Sequence, residues 1–274
     1  MKFMKNLFYL LILFAILQAG CTEEDVFDFQ QNTDPLLLEL NEILSGELHS
    51  VEDSLKSLYL YKDKQDRFVG RSDFYFDGSG LRILSVGISP DNDTTGISVY
   101  KNNQMGLLIE EIWFRKIQNV YQWNSTQSYI RDNSGKITHQ YSETFNMPKK
   151  LLSTYFYNEE GLLVERLFTA NPPDRYLYDY DEYQRPVRFR WVVGQEEEYP
   201  LQEYHYQYNE ENLLIAKVTR RGVPEGEPMM PAFVYSYNDR RQLVEETAYD
   251  PLMGFPKSFK SVFEYYPGKG VSEN

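Results

Sequence analysis

The chain has 274 residues, with 28 lysines and arginines against 41 aspartates and glutamates, and a formal net charge of −13. Phosphate backbones and anionic headgroups repel such an acidic surface, so the composition argues against nucleic acid as a partner. A single cysteine, Cys21, excludes an internal disulfide and a cysteine metal site.

The N-terminus has the pattern of a lipoprotein signal. Lys2 and Lys5 form a basic head, residues 7–17 an apolar run, and two small residues precede Cys21. The run is shorter than the roughly 20 residues that span a bilayer. The sequence LQAGC, which ends at Cys21, resembles a bacterial lipobox, although Gln18 stands where an aliphatic residue is usual. The resemblance implies a diacylglycerol on Cys21; the alternative is an ordinary signal with an incidental cysteine.

The acidic residues 22–25 (TEED) resemble the surface-export signal of Bacteroidota lipoproteins. This implies the outer face of the outer membrane, with a solvated acidic linker as the alternative. We therefore expect a signal peptide over residues 1–20 and a lipidated tether over 21–34, which anchors the protein without spanning the membrane. Residues 1–20 hold two lysines and no acid, so their removal leaves 26 basic against 41 acidic residues.

The next segment, residues 35–61, is expected to contain a short helix and the first strand. The helix is predicted over 36–44, between Asp34-Pro35 and Gly46, and is expected to cover an exposed sheet edge. Strand patterns follow over 55–61 and 67–76, on either side of a turn at 63–66.

A tyrosine-anchored unit recurs over residues 62–266, before a flexible tail at 267–274. Its anchors are Phe76, Asn102, Arg131, Tyr157, Tyr180, Tyr208, Tyr237 and Tyr265, separated by 26, 29, 26, 23, 28, 29 and 28 residues. Two positions before each anchor stands an aromatic residue: Phe74, Tyr100, Tyr129, Tyr155, Tyr178, Tyr206, Tyr235 and Phe263. A nearly constant period of this length indicates stacked supersecondary units.

Each unit is predicted to be a hairpin with a tight turn. Asn158 suits the first position of a type I turn, and Gly161 suits a closing position at positive φ. The equivalent closing residues are Gly80, Gly106, Gly135, Gly161, Gln184, Asn212 and Arg241. Glycine and asparagine tolerate positive φ, so the turns at Gln184 and Arg241 are expected to be more strained or differently built. Counting outward places Tyr157 opposite Leu163, Tyr208 opposite Leu214, and Tyr237 opposite Leu243. Eight units then predict about sixteen strands in an up-and-down meander.

Residues 155–161 (YFYNEEG) resemble the YD repeat of the RHS family, and the match covers about residues 72–266. The unit anchored at Tyr180 departs from the pattern, because Gln184 replaces the glycine. In that family long arrays coil into hollow β shells. For this shorter array the resemblance implies an all-β antiparallel meander that forms a curled sheet or small open barrel. Family members with short arrays are often cell-surface proteins of unsettled role.

The acidic residues do not assemble a predicted active site. Glu110 and Glu111 are adjacent on a predicted strand and therefore point to opposite faces. Glu110, Glu165 and Glu245 occupy equivalent positions in three of the repeat units, which favours a structural role for them. Residues 91–96 (DNDTTG) resemble the start of a calcium loop, but Asn102 stands where the closing glutamate belongs, so a hairpin loop is predicted. The three histidines lack metal-ligand spacing.

Two other features suggest binding. The tyrosine stripe that contains Tyr155, Tyr178, Tyr206 and Tyr235 could hold sugar rings or an extended peptide; alternatively it packs the concave side of the sheet. The long loops at the opposite edge contain Met229 and Phe255, and such loops often carry recognition. Their prolines could instead serve only to prevent edge pairing.

The sequence therefore predicts a non-enzymatic, lipid-anchored outer-membrane protein without a cofactor, whose β-repeat domain binds a glycan or protein partner. The alternatives are a purely structural or assembly component of the envelope and, third, a hydrolase. Exposure of the tyrosines at 155, 178, 206 and 235 separates binding from a structural role. A hydrolase would need two carboxylates from different units facing one cleft.

Overall fold

The computed structural model describes residues 54–62, 65–194, 200–221, 223, 226–250 and 257–266, together with residues 36, 40, 43, 48 and 51. Sixteen strands are present in this part of the chain. They are β1 (Leu55–Lys62), β2 (Arg67–Phe76), β3 (Arg82–Ile88), β4 (Thr94–Asn102), β5 (Leu108–Ile117), β6 (Val120–Arg131), β7 (Ile137–Thr144), β8 (Met147–Tyr157), β9 (Leu163–Phe168), β10 (Asp174–Tyr180), β11 (Pro186–Val193), β12 (Gln202–Tyr208), β13 (Leu214–Thr219), β14 (Met230–Tyr237), β15 (Leu243–Tyr249) and β16 (Lys257–Tyr265). The predicted antiparallel meander is confirmed.

The sheet closes into a barrel, because β1 pairs with β16 as well as with β2. Leu58 lies opposite Phe263 at this seam. The expectation of a curled sheet or open barrel is corrected here. Twist accumulates over sixteen strands and brings the first and last together, where each satisfies the edge hydrogen-bonding groups of the other.

Side chains reinforce the seam. Lys56 Nζ lies 3.0 Å from Glu264 Oε1, and the Tyr59 hydroxyl donates to Glu264 Oε2 at 2.9 Å. Burial alone would raise the pKa of Glu264, but the hydrogen bonds from Lys56 and Tyr59 hold it below its ordinary value. The Tyr266 backbone N–H also donates to the Ser54 carbonyl at 3.0 Å.

The tight turns have the predicted geometry. In the turn after β8, Gly161 N–H donates to the Asn158 carbonyl at 2.9 Å, and the Asn158 side-chain oxygen accepts from Leu162 N–H at 2.8 Å. All seven predicted closing positions have positive φ, namely Gly80, Gly106, Gly135, Gly161, Gln184, Asn212 and Arg241. The turns at Gln184 and Arg241 are built like the others, contrary to the expectation for these two: their φ values are 62° and 63°, and they make the same backbone hydrogen bond. These turns set the predicted register: Tyr157 pairs with Leu163, Tyr208 with Leu214, and Tyr237 with Leu243.

The anchors link successive hairpins, which the sequence did not predict. Seven of the eight donate a side-chain hydrogen bond to the carbonyl of the first residue of the preceding strand. The pairs are Asn102 with Arg82, Arg131 with Leu108, Tyr157 with Ile137, Tyr180 with Leu163, Tyr208 with Pro186, Tyr237 with Leu214, and Tyr265 with Leu243. Each unit is thereby fixed to the unit before it.

The main buried cluster lies on β3 to β6. It comprises Leu84, Ile97, Val99, Ile112, Phe114 and Tyr121, with Leu40 fully buried against them. The predicted helix over 36–44 falls mostly outside the described residues; Leu36, Leu40 and Ile43, which are described, have helical backbone and pack on this cluster. They cover strand faces rather than the sheet edge that the sequence suggested, because the closed barrel has no such edge.

The predicted signal peptide, tether and C-terminal tail lie outside the described residues. In the part of the chain that is described, no helix is long and apolar enough to cross a membrane.

The turn geometry predicts unequal effects of valine. Gly161→Val forces a β-branched residue to φ near 82°, a strain of roughly 1 to 3 kcal/mol. Arg241 already has a side chain at positive φ, so Arg241→Val should cost less. Thermal melting of both variants tests this, and equal shifts would contradict the assigned role of Gly161.

The anchor bonds predict the effect of removing one hydroxyl. Tyr208→Phe deletes the donor to the Pro186 carbonyl, which lies 2.8 Å away, and should reduce the free energy of unfolding by about 1 kcal/mol. Tyr183→Phe is the control, because Tyr183 lies on a turn and is exposed. Urea denaturation should separate the two variants; identical midpoints would show that the anchor bond contributes nothing.

Candidate functional site

The register divides the wall of the barrel into two faces. One, the charged face, holds ion pairs between neighbouring strands. Its pairs include Lys101 with Glu110 at 2.9 Å, Arg175 with Glu165 at 2.7 Å, and Lys260 with Glu245 at 3.7 Å. The three glutamates that share one phase of the repeat therefore each face a cation on the adjacent strand. Glu111 points to the other face, as the alternation predicted.

The other face carries an aromatic belt, which consists of the eight residues two positions before the anchors. They are Phe74, Tyr100, Tyr129, Tyr155, Tyr178, Tyr206, Tyr235 and Phe263, all at the same level of the barrel. The intervening strands β3 to β15 contribute mostly polar side chains at this level. These are Ser85, Glu111, Gln140, Arg166, Phe189, Lys217 and Glu246.

Contacts on the belt face extend across an intervening strand. Arg166 of β9 donates to Gln140 Oε1 of β7, and the rings of Tyr204 in β12 and Phe233 in β14 lie 5.5 Å apart. Strands two apart are separated by about 10 Å at the backbone, so these side chains converge. Convergence is expected on the concave side of a curved sheet. The belt therefore faces the interior of the barrel.

Part of this interior face is a satisfied polar network. Gln140 Oε1 accepts from Tyr155 at 2.9 Å and from Ser153 at 3.3 Å, in addition to Arg166. The Arg166 guanidinium also lies over the rings of Tyr155 and Phe168, 5.1 and 4.3 Å from their centroids. Tyr155 is thus held by protein partners on both its ring and its hydroxyl.

A second cluster surrounds Lys217. Its ammonium lies 5.4, 5.3 and 5.6 Å from the ring centroids of Tyr206, Phe233 and Tyr235. Burial lowers the pKa of Lys217 and raises the pKa of Tyr206 to about 12. Burial also raises the pKa of Tyr235, and the nearby Glu246 carboxylate raises it further. The Tyr235 hydroxyl lies close to that carboxylate but outside hydrogen-bonding geometry.

The four tyrosines predicted to bind a ligand share one face but differ in exposure. Tyr155, Tyr178 and Tyr206 are half-buried, whereas Tyr235 is 8% exposed. Tyr178 packs against Phe189, with ring centroids 5.5 Å apart. Tyr235 therefore has the burial expected of a structural residue, and the other three keep part of their rings accessible from the interior.

The predicted loop residues lie elsewhere. Met229 is half-buried and lines a cavity of about 400 Å³ at the long-loop edge, together with Leu201, Thr219 and Arg221. The structure does not bring Met229 into the aromatic belt. Phe255 and Cys21 lie outside the described residues.

The suspected calcium loop is a tight turn between β3 and β4. Ser89 N–H donates to the Asp93 carbonyl at 2.8 Å, and Asn92 adopts φ of 65°. The hairpin prediction for this segment is confirmed. No group of three potential metal-ligating side chains occurs among the residues that the structure describes.

Sequence reasoning missed Trp113 of β5, which is 41% exposed on the belt face. Cavities of about 440 and 240 Å³ lie on its two sides and share Ser98 as a lining residue. A signal was present in the sequence. Ile112 and Phe114 point to the buried cluster. Because side chains alternate along a strand, Trp113 is expected on the opposite face, where its neighbours are polar.

No known protein family and no curated protein matches the sequence. In structure, the chain is similar to a porin-like protein from Bacteroides uniformis, with 9% identity, a TM-score of 0.49, and coverage of 80% of this chain and all of that one. It is also similar to part of a TcdB2-TccC3-Cdc42 complex, with 12% identity and a TM-score of 0.32, covering 86% of this chain and 16% of that one. The Photorhabdus luminescens Tc holotoxin pore gives a TM-score of 0.31 at 12% identity, covering 81% and 15%. Likenesses at this level assign no function.

Proposed function

We propose that this protein is a non-catalytic, lipid-anchored component of the outer-membrane surface whose barrel binds a saccharide on its concave face. The supporting observation is the chemistry of the belt face, where half-buried aromatic rings alternate with polar and charged side chains. Sugar rings present apolar C–H faces and polar hydroxyl rims, and sites with a few placed polar groups on an aromatic wall suit them.

The membrane anchor in this proposal rests on the sequence around Cys21. The small residues before it and the acidic residues 22–25 after it support lipidation and surface exposure. The short helix over 36–44 belongs to the same proposal, because Leu40 is fully buried on the barrel a short distance after the tether. We also assign the repeat to the YD type, because an aromatic residue stands two positions before the anchor in every unit.

A structural role without a small ligand is the second candidate. It is favoured by the burial of Tyr235 and by the engagement of Tyr155 with Arg166 and Gln140. A hydrolase receives less support. The cavities on either side of Trp113 contain one carboxylate among their described lining residues, that of Glu111, whereas glycoside hydrolysis commonly uses two.

Lipidation is tested by Cys21→Ser. We expect the parent to sediment with membranes and the variant to appear in the soluble fraction, because the thiol that carries the lipid is gone. Metabolic labelling with a clickable fatty acid should mark the parent alone. A variant that still sediments like the parent would contradict the anchor.

Saccharide binding is tested by comparing Tyr206→Ala with Tyr235→Ala. Tyr235 is buried, so its truncation should cost roughly 3 to 5 kcal/mol. Tyr206 keeps part of its ring accessible, so its variant should melt closer to the parent and lose retention on immobilised glucan, mannan or galactan. Equal destabilisation of the two variants, with unchanged retention for Tyr206→Ala, would favour the structural alternative.

A further inference from the structure

Glu111, Trp113 and Arg115 lie in line on the concave face of β5. They alternate with Ile112 and Phe114, which are buried on the other face. Glu111 and Arg115 are four positions apart, about 13 Å along the backbone, and Trp113 lies midway between them. An exposed indole flanked by an acid and a base on one strand is a combination found nowhere else in the described wall.

Small residues on the neighbouring strands create a groove along this line. The Trp113 groove, as we name it, joins the two cavities of about 440 and 240 Å³. It is lined by Ser72 of β2, Gly87 of β3, and Gly96 and Ser98 of β4 on one side, and by Ser125 and Gln127 of β6 on the other. On β11 and β12 the same face is filled instead by aromatic rings, those of Phe189 and Tyr204.

Gly96 allows the indole to lie against β4. A Cβ at this position would sit 3.0 Å from Trp113 Nε1 and 2.7 Å from the Phe114 carbonyl oxygen. Any side chain there would therefore displace the indole or the adjacent strand. The glycine lets the indole nitrogen approach the backbone of β4, while 41% of Trp113 stays exposed.

Several polar groups of the groove are available to form hydrogen bonds with a ligand. Glu111 and Arg115 form no ion pair or side-chain hydrogen bond with any other described residue, and neither do the hydroxyls of Ser98 and Ser125. The Gln127 side-chain oxygen accepts from Gln140 and Tyr129, which leaves its amide nitrogen available as a donor. This contrasts with the satisfied network around Gln140 on the adjacent strands.

We infer that the Trp113 groove is a subsite for a neutral saccharide. This assignment rests on the proposed function and gives the position of the saccharide site on the barrel wall. The indole would stack on the apolar face of one sugar ring. Glu111 would accept hydrogen bonds from sugar hydroxyls, and Arg115 would donate to them. Because the groove holds one acid and one base, it offers no net charge to attract an anionic chain, so a neutral glycan fits better than an acidic one.

The test uses the soluble Cys21→Ser protein and calorimetric titration with neutral hexasaccharides of glucose, mannose and galactose, and with hexagalacturonate as the acidic probe. We expect a neutral hexasaccharide to bind more tightly than hexagalacturonate. Trp113→Ala should weaken that binding at least tenfold, and Glu111→Gln should weaken it several-fold, both without a large change in melting temperature.

Phe156→Ala is the matched control. Phe156 is 43% exposed, close to the 41% of Trp113, but lies on the charged face of β8. Its loss should leave saccharide affinity unchanged. Parent-like affinity in Trp113→Ala, together with loss of binding in Tyr206→Ala, would overturn the subsite and leave saccharide binding in place. Absence of binding by the unsubstituted barrel to every hexasaccharide would overturn both.

Discussion

The residue at positive φ that closes each tight turn is the constraint on which the two faces of the barrel depend. It ends the type I turn, places a bulge beside the anchor and so fixes which residues pair across the hairpin. A shift of one residue would move every side chain of a strand to the opposite face. The aromatic belt, the charged face and the Trp113 groove exist as continuous surfaces because seven turns keep the same register.

The anchor hydrogen bonds extend this order from one hairpin to the next. A turn controls only the two strands that it joins, whereas the anchor reaches the first carbonyl of the preceding strand. Tyrosine suits this position because its ring packs on the sheet while its hydroxyl donates. Asn102 and Arg131 make the equivalent bond with different side chains, so a donor of sufficient reach, rather than an aromatic ring, is what the position requires.

Much of the fold was predictable because its signals are local. Turn residues, alternation and a fixed period gave the sixteen strands and the pairing of Tyr157 with Leu163. The turn at Gln184 was expected to differ, but it has the same positive φ as the glycine turns. Closure was not predictable, since pairing of β1 with β16 depends on accumulated twist and on residues about 200 positions apart. The accessibility of individual tyrosines also escaped prediction. Tyr155 and Tyr235 occupy equivalent positions in the repeat, yet their burial depends on neighbours such as Arg166 and Glu246 in other strands.

Closure of the barrel makes the last strand a requirement for folding. The bond between Lys56 and Glu264 joins residues 208 positions apart, so the seam forms only when nearly the whole chain is present. Before that moment β1 presents an unpaired edge, and contacts of such long range form slowly. Until β16 is available, the first fifteen strands form an open sheet. During that interval the edge of β1 is open to pairing with a strand of another chain, so association between incomplete chains competes with closure of the barrel.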